Sequence, residues 1–373
     1  MGTLRLVEAS GPCDKHEGEV YSTSYTPDGA YLLSGGWDGY LRLWDTQSGC
    51  TITSLSASPK PISACVCSPD GQYWLAGSME GLLTVWDGVS HSVIASHVAH
   101  TRPISGIDFS PTGELLATAS WDRQVSLRRV DQLHEGKILG NHTDIIAGCR
   151  FSLDGQSLYS WSYDATIKVW DLNLLCERAT LTGHTDRITS FTLAPDGRMA
   201  LTGSRDATIR LWDLEQLTEL ATVNIGAEVR SCSFLLDGES VIVVDSVGRM
   251  FLMVAPIFAV VEHIQTPFKT LSGTLSPNGL QIALGGEDGM VYFLDIEGQD
   301  KTPFIVTATP FEKEEPPSML GRLFGGPRTS RQFSYTCPSC RYVIQVRDLP
   351  TQPVGCPCCG RSLRVRNRQP QMA

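Results

Sequence analysis

Residues 183–213 read GHTDRITSFTLAPDGRMALTGSRDATIRLWD. Ile188 to Leu193 has the β-branched and aromatic composition of a strand. Ala194-Pro195-Asp196-Gly197 ends it, and the Asp-Gly pair supplies the positive-φ backbone of a tight hairpin. Met199, Leu201 and Gly203 alternate along a second strand. Arg205-Asp206-Ala207 turns the chain again, and Thr208 to Asp213 forms a third strand. A shorter fourth strand precedes the next unit. The same pattern recurs outward in both directions. Gly29, Gly71, Gly113, Gly155 and Gly197 are spaced by 42 residues, and Gly238 and Gly279 continue the series at 41. Four strands in about 42 residues is the size of a propeller blade, so the spacing predicts an all-β ring of seven blades.

Composition agrees with a folded repeat array. Of 373 residues, 42% are apolar and only 19% charged, which excludes a coiled coil or a mostly disordered chain. The longest apolar run, Met250 to Val261, has 12 residues. A bilayer span needs about 20, so the run reads as buried strand and no membrane role is expected. The first residues lack the apolar stretch of a signal peptide. The cysteines before residue 300 show no paired spacing except Cys65-Val66-Cys67, and they read as buried thiols in a reduced, cytoplasmic setting.

The units end in Trp44-Asp45, Trp86-Asp87, Trp170-Asp171 and Trp212-Asp213, with Leu294-Asp295 in the seventh, and Gly183-His184 opens the fifth. In these features the chain resembles the WD-repeat β-propeller family over roughly residues 1–310. The resemblance implies a structural tetrad in which a loop His, a strand Ser/Thr, a turn Asp and a strand Trp satisfy one another. Unit one offers His16, Ser34, Asp38 and Trp44. Unit four offers His142, Ser160, Asp164 and Trp170, and unit five His184, Thr202, Asp206 and Trp212. Unit three keeps His100, Thr118 and Asp122 but has Arg128 in place of Trp. Unit two keeps Trp86 with Ala76 and Glu80, unit six has lost the set, and unit seven retains Asp288. Units two, six and seven are therefore expected to rest more on apolar packing. Either Leu4 to Glu8 or Pro303 to Thr307 can close the ring; the N-terminal strand is favoured because it also ties down the chain start.

A Ser, His and Asp set recurring once per blade is not a catalytic triad, which occurs once and needs an oxyanion hole. No nucleophile elbow, phosphate loop or metalloprotease helix motif is present. The position just before each turn Asp is more informative. It reads Trp37, Met79, Trp121, Tyr163, Arg205, Ser246 and Glu287 around the ring. The resemblance places it on the face near the central channel. Trp, Tyr and Arg are common anchors of protein interfaces. Trp37, Met79, Trp121, Tyr163 and Arg205 are thus the candidate partner-binding residues, with a protein or peptide as ligand.

The chain changes character after residue 310. Glu312-Lys313-Glu314-Glu315-Pro316-Pro317 is acidic and proline-rich, and 311–332 reads as a flexible linker. Cys337-Pro-Ser-Cys340 and Cys356-Pro-Cys358-Cys359 then follow, two cysteine pairs with the spacing of a zinc ribbon over 333–368, before a tail at 369–373. Cys337, Cys340, Cys356 and Cys359 are the expected ligands of a structural Zn²⁺, with a Cys356/Cys358 pairing as the alternative. From Gly321 onward nine arginines face one acid, Asp348, for a charge of +8; the residues before carry −18. Arg361, Arg364, Arg366 and Arg368 can contact phosphate or an acidic protein surface. The expected function is a non-enzymatic scaffold with a propeller face for partners and a zinc ribbon as second module. The alternative is a nucleic-acid-associated factor that uses the ribbon.

Overall fold

The computed structural model describes residues 3–7, 14–266 and 268–297, and five further strands at 304–315, 328–336, 343–346, 354–355 and 362–367. The chain divides into two compact units at Gln299/Asp300.

The first unit consists of seven four-stranded antiparallel sheets. Their first strands are Val20–Tyr25, Ile62–Cys67, Ile104–Phe109, Ile146–Phe151, Ile188–Leu193, Val229–Phe234 and Thr270–Leu275. Each touches the next, and Thr270–Leu275 touches Val20–Tyr25, which closes the ring at seven blades. The seventh blade takes its outer strand from the chain start. Thr3–Val7 pairs antiparallel with Val291–Glu297, from Thr3 opposite Glu297 to Val7 opposite Phe293. The N-terminal strand is therefore the ring closure. The competing segment lies instead in Phe304–Glu315, a strand of the second unit.

The repeat spacing has a local cause. All seven turn glycines sit at φ between 69° and 76°, the left-handed region that the hairpin requires. The preceding Asp or Asn caps the turn: Asp28 Oδ1 accepts from Thr26 Oγ1 at 2.6 Å and from the Ala30 N–H at 3.0 Å, and Asp154 and Asn278 do the same in their blades. Alternation then places apolar side chains on both faces of each sheet, so the core lies between blades. Leu33, Leu41 and Leu43 of blade one pack on Ile62, Cys65, Trp74, Ala76 and Trp86 of blade two. Every first strand carries a bulge at its second residue. The bulge re-aims that side chain. In blade five this lets Thr189 Oγ1 donate to the Val229 carbonyl of blade six at 2.6 Å, and Ser63 and Ser105 staple their neighbours in the same way. Among the described residues no helix is long and apolar enough to cross a membrane.

The second unit is a five-stranded sheet in the order Val343–Val346, Arg328–Thr336, Phe304–Glu315, Ser362–Asn367, Val354–Gly355. Part of the 311–332 segment read as linker lies in its strands. Their backbone register sets Glu312 opposite Arg331 and Glu315 opposite Arg328. Cys337, Cys340, Cys356, Cys358 and Cys359 lie outside the described residues.

Candidate functional site

The site is one rim of the ring, and the tetrads build it. In blade one Trp44 Nε1 donates to Ser34 Oγ at 2.7 Å, the Ser34 hydroxyl meets His16 Nε2 at 2.7 Å, and His16 Nδ1 meets Asp38 Oδ1 at 2.7 Å. The chain of donors runs from indole to carboxylate with each group satisfied. Blade four repeats it through Trp170, Ser160, His142 and Asp164 at 2.9, 2.8 and 2.9 Å. Blade five does so through Trp212, Thr202, His184 and Asp206 at 2.9, 2.8 and 2.9 Å. The second oxygen of each Asp, or the oxygen shared with His, also accepts the N–H of the residue after the His, which pins the entry loop to the turn. Burial alone would raise the Asp38 carboxyl, but hydrogen bonds from His16 and Arg42 outweigh it and hold it well below the usual range. Asp206 behaves likewise and falls to about 2. Burial depresses His16 and His184 against the pull of their aspartates, so the rings sit neutral.

This locking fixes the residue just before the turn Asp. The backbone N–H of Trp37, Met79, Trp121, Tyr163, Arg205, Ser246 and Glu287 donates in every blade to the carbonyl of the residue preceding the first strand, at 2.8–3.1 Å. The seven positions are therefore equivalent and share one face. Trp37 is 52% exposed and Trp121 40%, high values for the largest side chain. Met79 and Tyr163 are half-buried and Arg205 is exposed. Trp37 rests on Tyr21, ring centres 6.4 Å apart, and over Gly18, where a Cβ would come within 2.9 Å of the Trp37 Cβ. Arg187 of blade five lies over the Tyr163 ring at 4.6 Å.

Four arrangements were not evident in the sequence. Arg128 fills the place of the missing tetrad Trp: its Nη1 donates to Thr118 Oγ1 at 2.8 Å and to Ser126 Oγ at 2.9 Å, and its Nη2 to the Ala99 carbonyl at 2.9 Å. In blade two Ser58 and Glu80 stand at the His and Asp positions and hydrogen-bond at 3.1 Å. Blade six buries Asp245 completely and pairs it with Arg249 Nε at 2.6 Å. In blade seven the Tyr292 hydroxyl donates to Asp288. The degenerate blades thus carry polar substitutes and do not rest on apolar packing alone. The signal was available for Glu80, which stands in register with the turn aspartates.

Burial pushes the Cys65, Cys67 and Cys232 thiols up to about 12, which suits inert core residues. Among the described residues no group of three or more His, Cys, Asp or Glu side chains is placed to hold a metal ion.

The family description "WD domain, G-beta repeat" matches residues 10–45, 49–87, 91–128, 134–171 and 176–213, together half of the chain. The matched stretches cover blades one to five, and the two unmatched blades are among those without a tetrad. A 48-residue segment is 35% identical to Protein HIR1 of Aspergillus oryzae (strain ATCC 42149 / RIB 40), covering 13% of this chain and 4% of that protein's length. With five matched repeats set in a ring of seven blades, the chain belongs to the WD domain, G-beta repeat family.

Proposed function

We propose that this protein is a non-enzymatic scaffold that binds protein or peptide partners on the rim of blades one to five, through Trp37, Met79, Trp121, Tyr163 and Arg205. Propellers of this family typically serve as protein-interaction scaffolds. The observation that carries the reading is the exposure of Trp37 and Trp121 at equivalent, rigidly bonded positions. Exposed tryptophans on a preorganised frame lose little side-chain entropy on binding and bury much apolar area. The second module in this proposal is a zinc ribbon. Its support is the donor set, four thiolates that fill a tetrahedral site and leave no open position for catalysis. The flanking strands add to it: residues 337–342 join strands paired Thr336 to Val343, and residues 356–361 join strands paired Gly355 to Ser362. A cytoplasmic setting belongs to the same reading. The test uses the full tagged chain, its Trp37→Ala/Trp121→Ala variant, and Ile138→Ala on an outer strand as control. Partners identified by mass spectrometry should be lost with the rim variant and kept with the control. Identical partner sets from all three would reject the rim.

A further inference from the structure

The cations of the rim are not equally neutralised. On blades six and seven Arg230 pairs with Glu228 at 3.2 Å and Lys269 with Glu287 at 3.6 Å, and in blade one Arg42 is bonded to Asp38. On blades two and three Lys60, Arg102 and Arg123 are exposed, and among the described residues no carboxylate lies within ion-pair distance of them. Glu80 and Asp122 are held by hydrogen bonds, to Ser58 and, at 2.8 Å, to His100, and neither forms an ion pair with these cations. These three cations bracket the apolar pair Met79 and Trp121. Met79 bonds to the Pro61 carbonyl next to Lys60, and Trp121 to the Pro103 carbonyl next to Arg102, both at 2.9 Å. The Met79 turn abuts the Arg102 loop, since a Cβ on Gly81 would lie 3.0 Å from the Arg102 carbonyl. Arg123 reaches the Thr143 carbonyl of blade four. Prolines 59, 61 and 103 stiffen the loops that carry Lys60 and Arg102, so the charges are held in place before any partner arrives.

Resting on the rim reading above, we propose that blades two and three form the subsite for an acidic peptide segment, one apolar residue seated on Met79 and Trp121 and flanking carboxylates on Lys60, Arg102 and Arg123. Cations with no paired carboxylate among the described residues, set in an otherwise acidic unit, are a local field that selects for complementary charge. A nucleic acid fits less well. The propeller's overall negative charge repels a long polyanion, and exposed Asp144 stands in blade four at the position that Lys60 and Arg102 hold in blades two and three.

The experiment selects random displayed peptides on the full-length chain and measures the binding of the enriched ones. Enriched sequences should place Asp or Glu around one apolar residue. Their Kd should rise about tenfold or more with Lys60→Glu/Arg102→Glu and with Trp121→Ala, and it should rise with salt. Lys269→Glu, whose lysine is already paired, should leave it unchanged. Thermal melting of each variant checks that it is folded. Peptides that lose binding with Trp37→Ala/Trp121→Ala but carry no acidic excess would overturn the acidic assignment and leave the rim reading intact. No enrichment, or binding indifferent to every rim substitution, would overturn both. A single-stranded oligonucleotide held through Lys60 and Arg102 as tightly as the best peptide would overturn the peptide in favour of a polyanion.

Discussion

A single tetrad shows how much one residue carries. His184 is nearly inaccessible, and both of its ring nitrogens are bonded, to Thr202 and to Asp206. Its pKa lies below the ordinary 6.5 because burial disfavours the imidazolium, and that of Asp206 lies below the ordinary 3.8. Both depressions have the same sign in their effect on stability. The unfolded chain binds more protons than the folded one, so stability present at neutral pH is lost on acidification. The histidine part is lost as pH falls below about 6.5, and the carboxylate part as pH falls from about 3.8 through the folded value of about 2. The melting temperature of the full chain should therefore decline from pH 6.5 to 5, and His184→Gln should flatten that decline while lowering stability at pH 7 by about 1–3 kcal/mol. An equal slope in variant and parent would show that His184 does not titrate in this way. The intact tetrads were legible because the His-to-Asp interval is 22 residues in each. Arg128 was not. Its guanidinium replaces an indole donor only because Gly136 leaves room, a Cβ there coming within 2.5 Å of Nη2. That relation joins a strand residue to the connection just before Lys137–Asn141 and has no signature in spacing.

At the scale of the element, the junction between blades four and five is unlike the others. Blades one, two, five and seven have Gly35, Gly77, Gly203 and Gly285 at the fifth residue of the second strand. There a Cβ would come within 2.2–2.7 Å of the first Ile or Val of the next blade. Blade four has Trp161 at this position. Its ring covers Gly148, where a Cβ would come within 2.2 Å of Cζ2, and stacks on Phe191 of blade five at 5.3 Å and 13°. Phe191 in turn stacks on Tyr159 at 5.3 Å. A wedge of aromatic rings thus replaces the close glycine contact, and among the described residues the buried Trp161 Nε1–H has no acceptor. An unmet buried donor costs about 1–3 kcal/mol, whereas the ring's packing is favourable. The two effects separate by mutation. Trp161→Phe keeps a ring on Phe191 and removes the donor, so unfolding free energy should stay within about 1 kcal/mol of the parent. Trp161→Ala should cost about 3–5 kcal/mol. Equal losses in denaturant titrations of the two variants would show that the indole nitrogen has a partner after all. The blades themselves were legible from turn glycines and alternation. The wedge was present in the aligned repeats as one Trp against four Gly, but what it stacks on depends on how neighbouring blades meet.

The whole molecule joins an acidic unit to a basic one, −16 over residues 1–299 and +6 over residues 300–373. The first unit needs no metal, since seven blades bury their faces on one another. The second, residues 300–373, is small, and small units are only marginally stable on apolar burial alone. Zinc held by Cys337, Cys340, Cys356 and Cys359 would link its two hairpin connections and supply about 10–16 kcal/mol of apparent folding free energy. The full chain purified under reducing conditions should then carry one zinc per molecule by elemental analysis. Cys337→Ser/Cys340→Ser should lose it, and Cys358→Ser should keep it; loss in the last variant would favour the Cys356/Cys358 pairing. The main melting transition, which belongs to the propeller, should be unchanged in all three, because the substituted cysteines belong to the second unit. Charge and cysteine spacing both change along the sequence, which set a second module apart, but neither marks the boundary at Gln299/Asp300. The zinc prediction therefore turns on one measurement. A full chain that binds no zinc, or whose Cys337→Ser/Cys340→Ser variant binds as much as the parent, removes the second module from the scaffold.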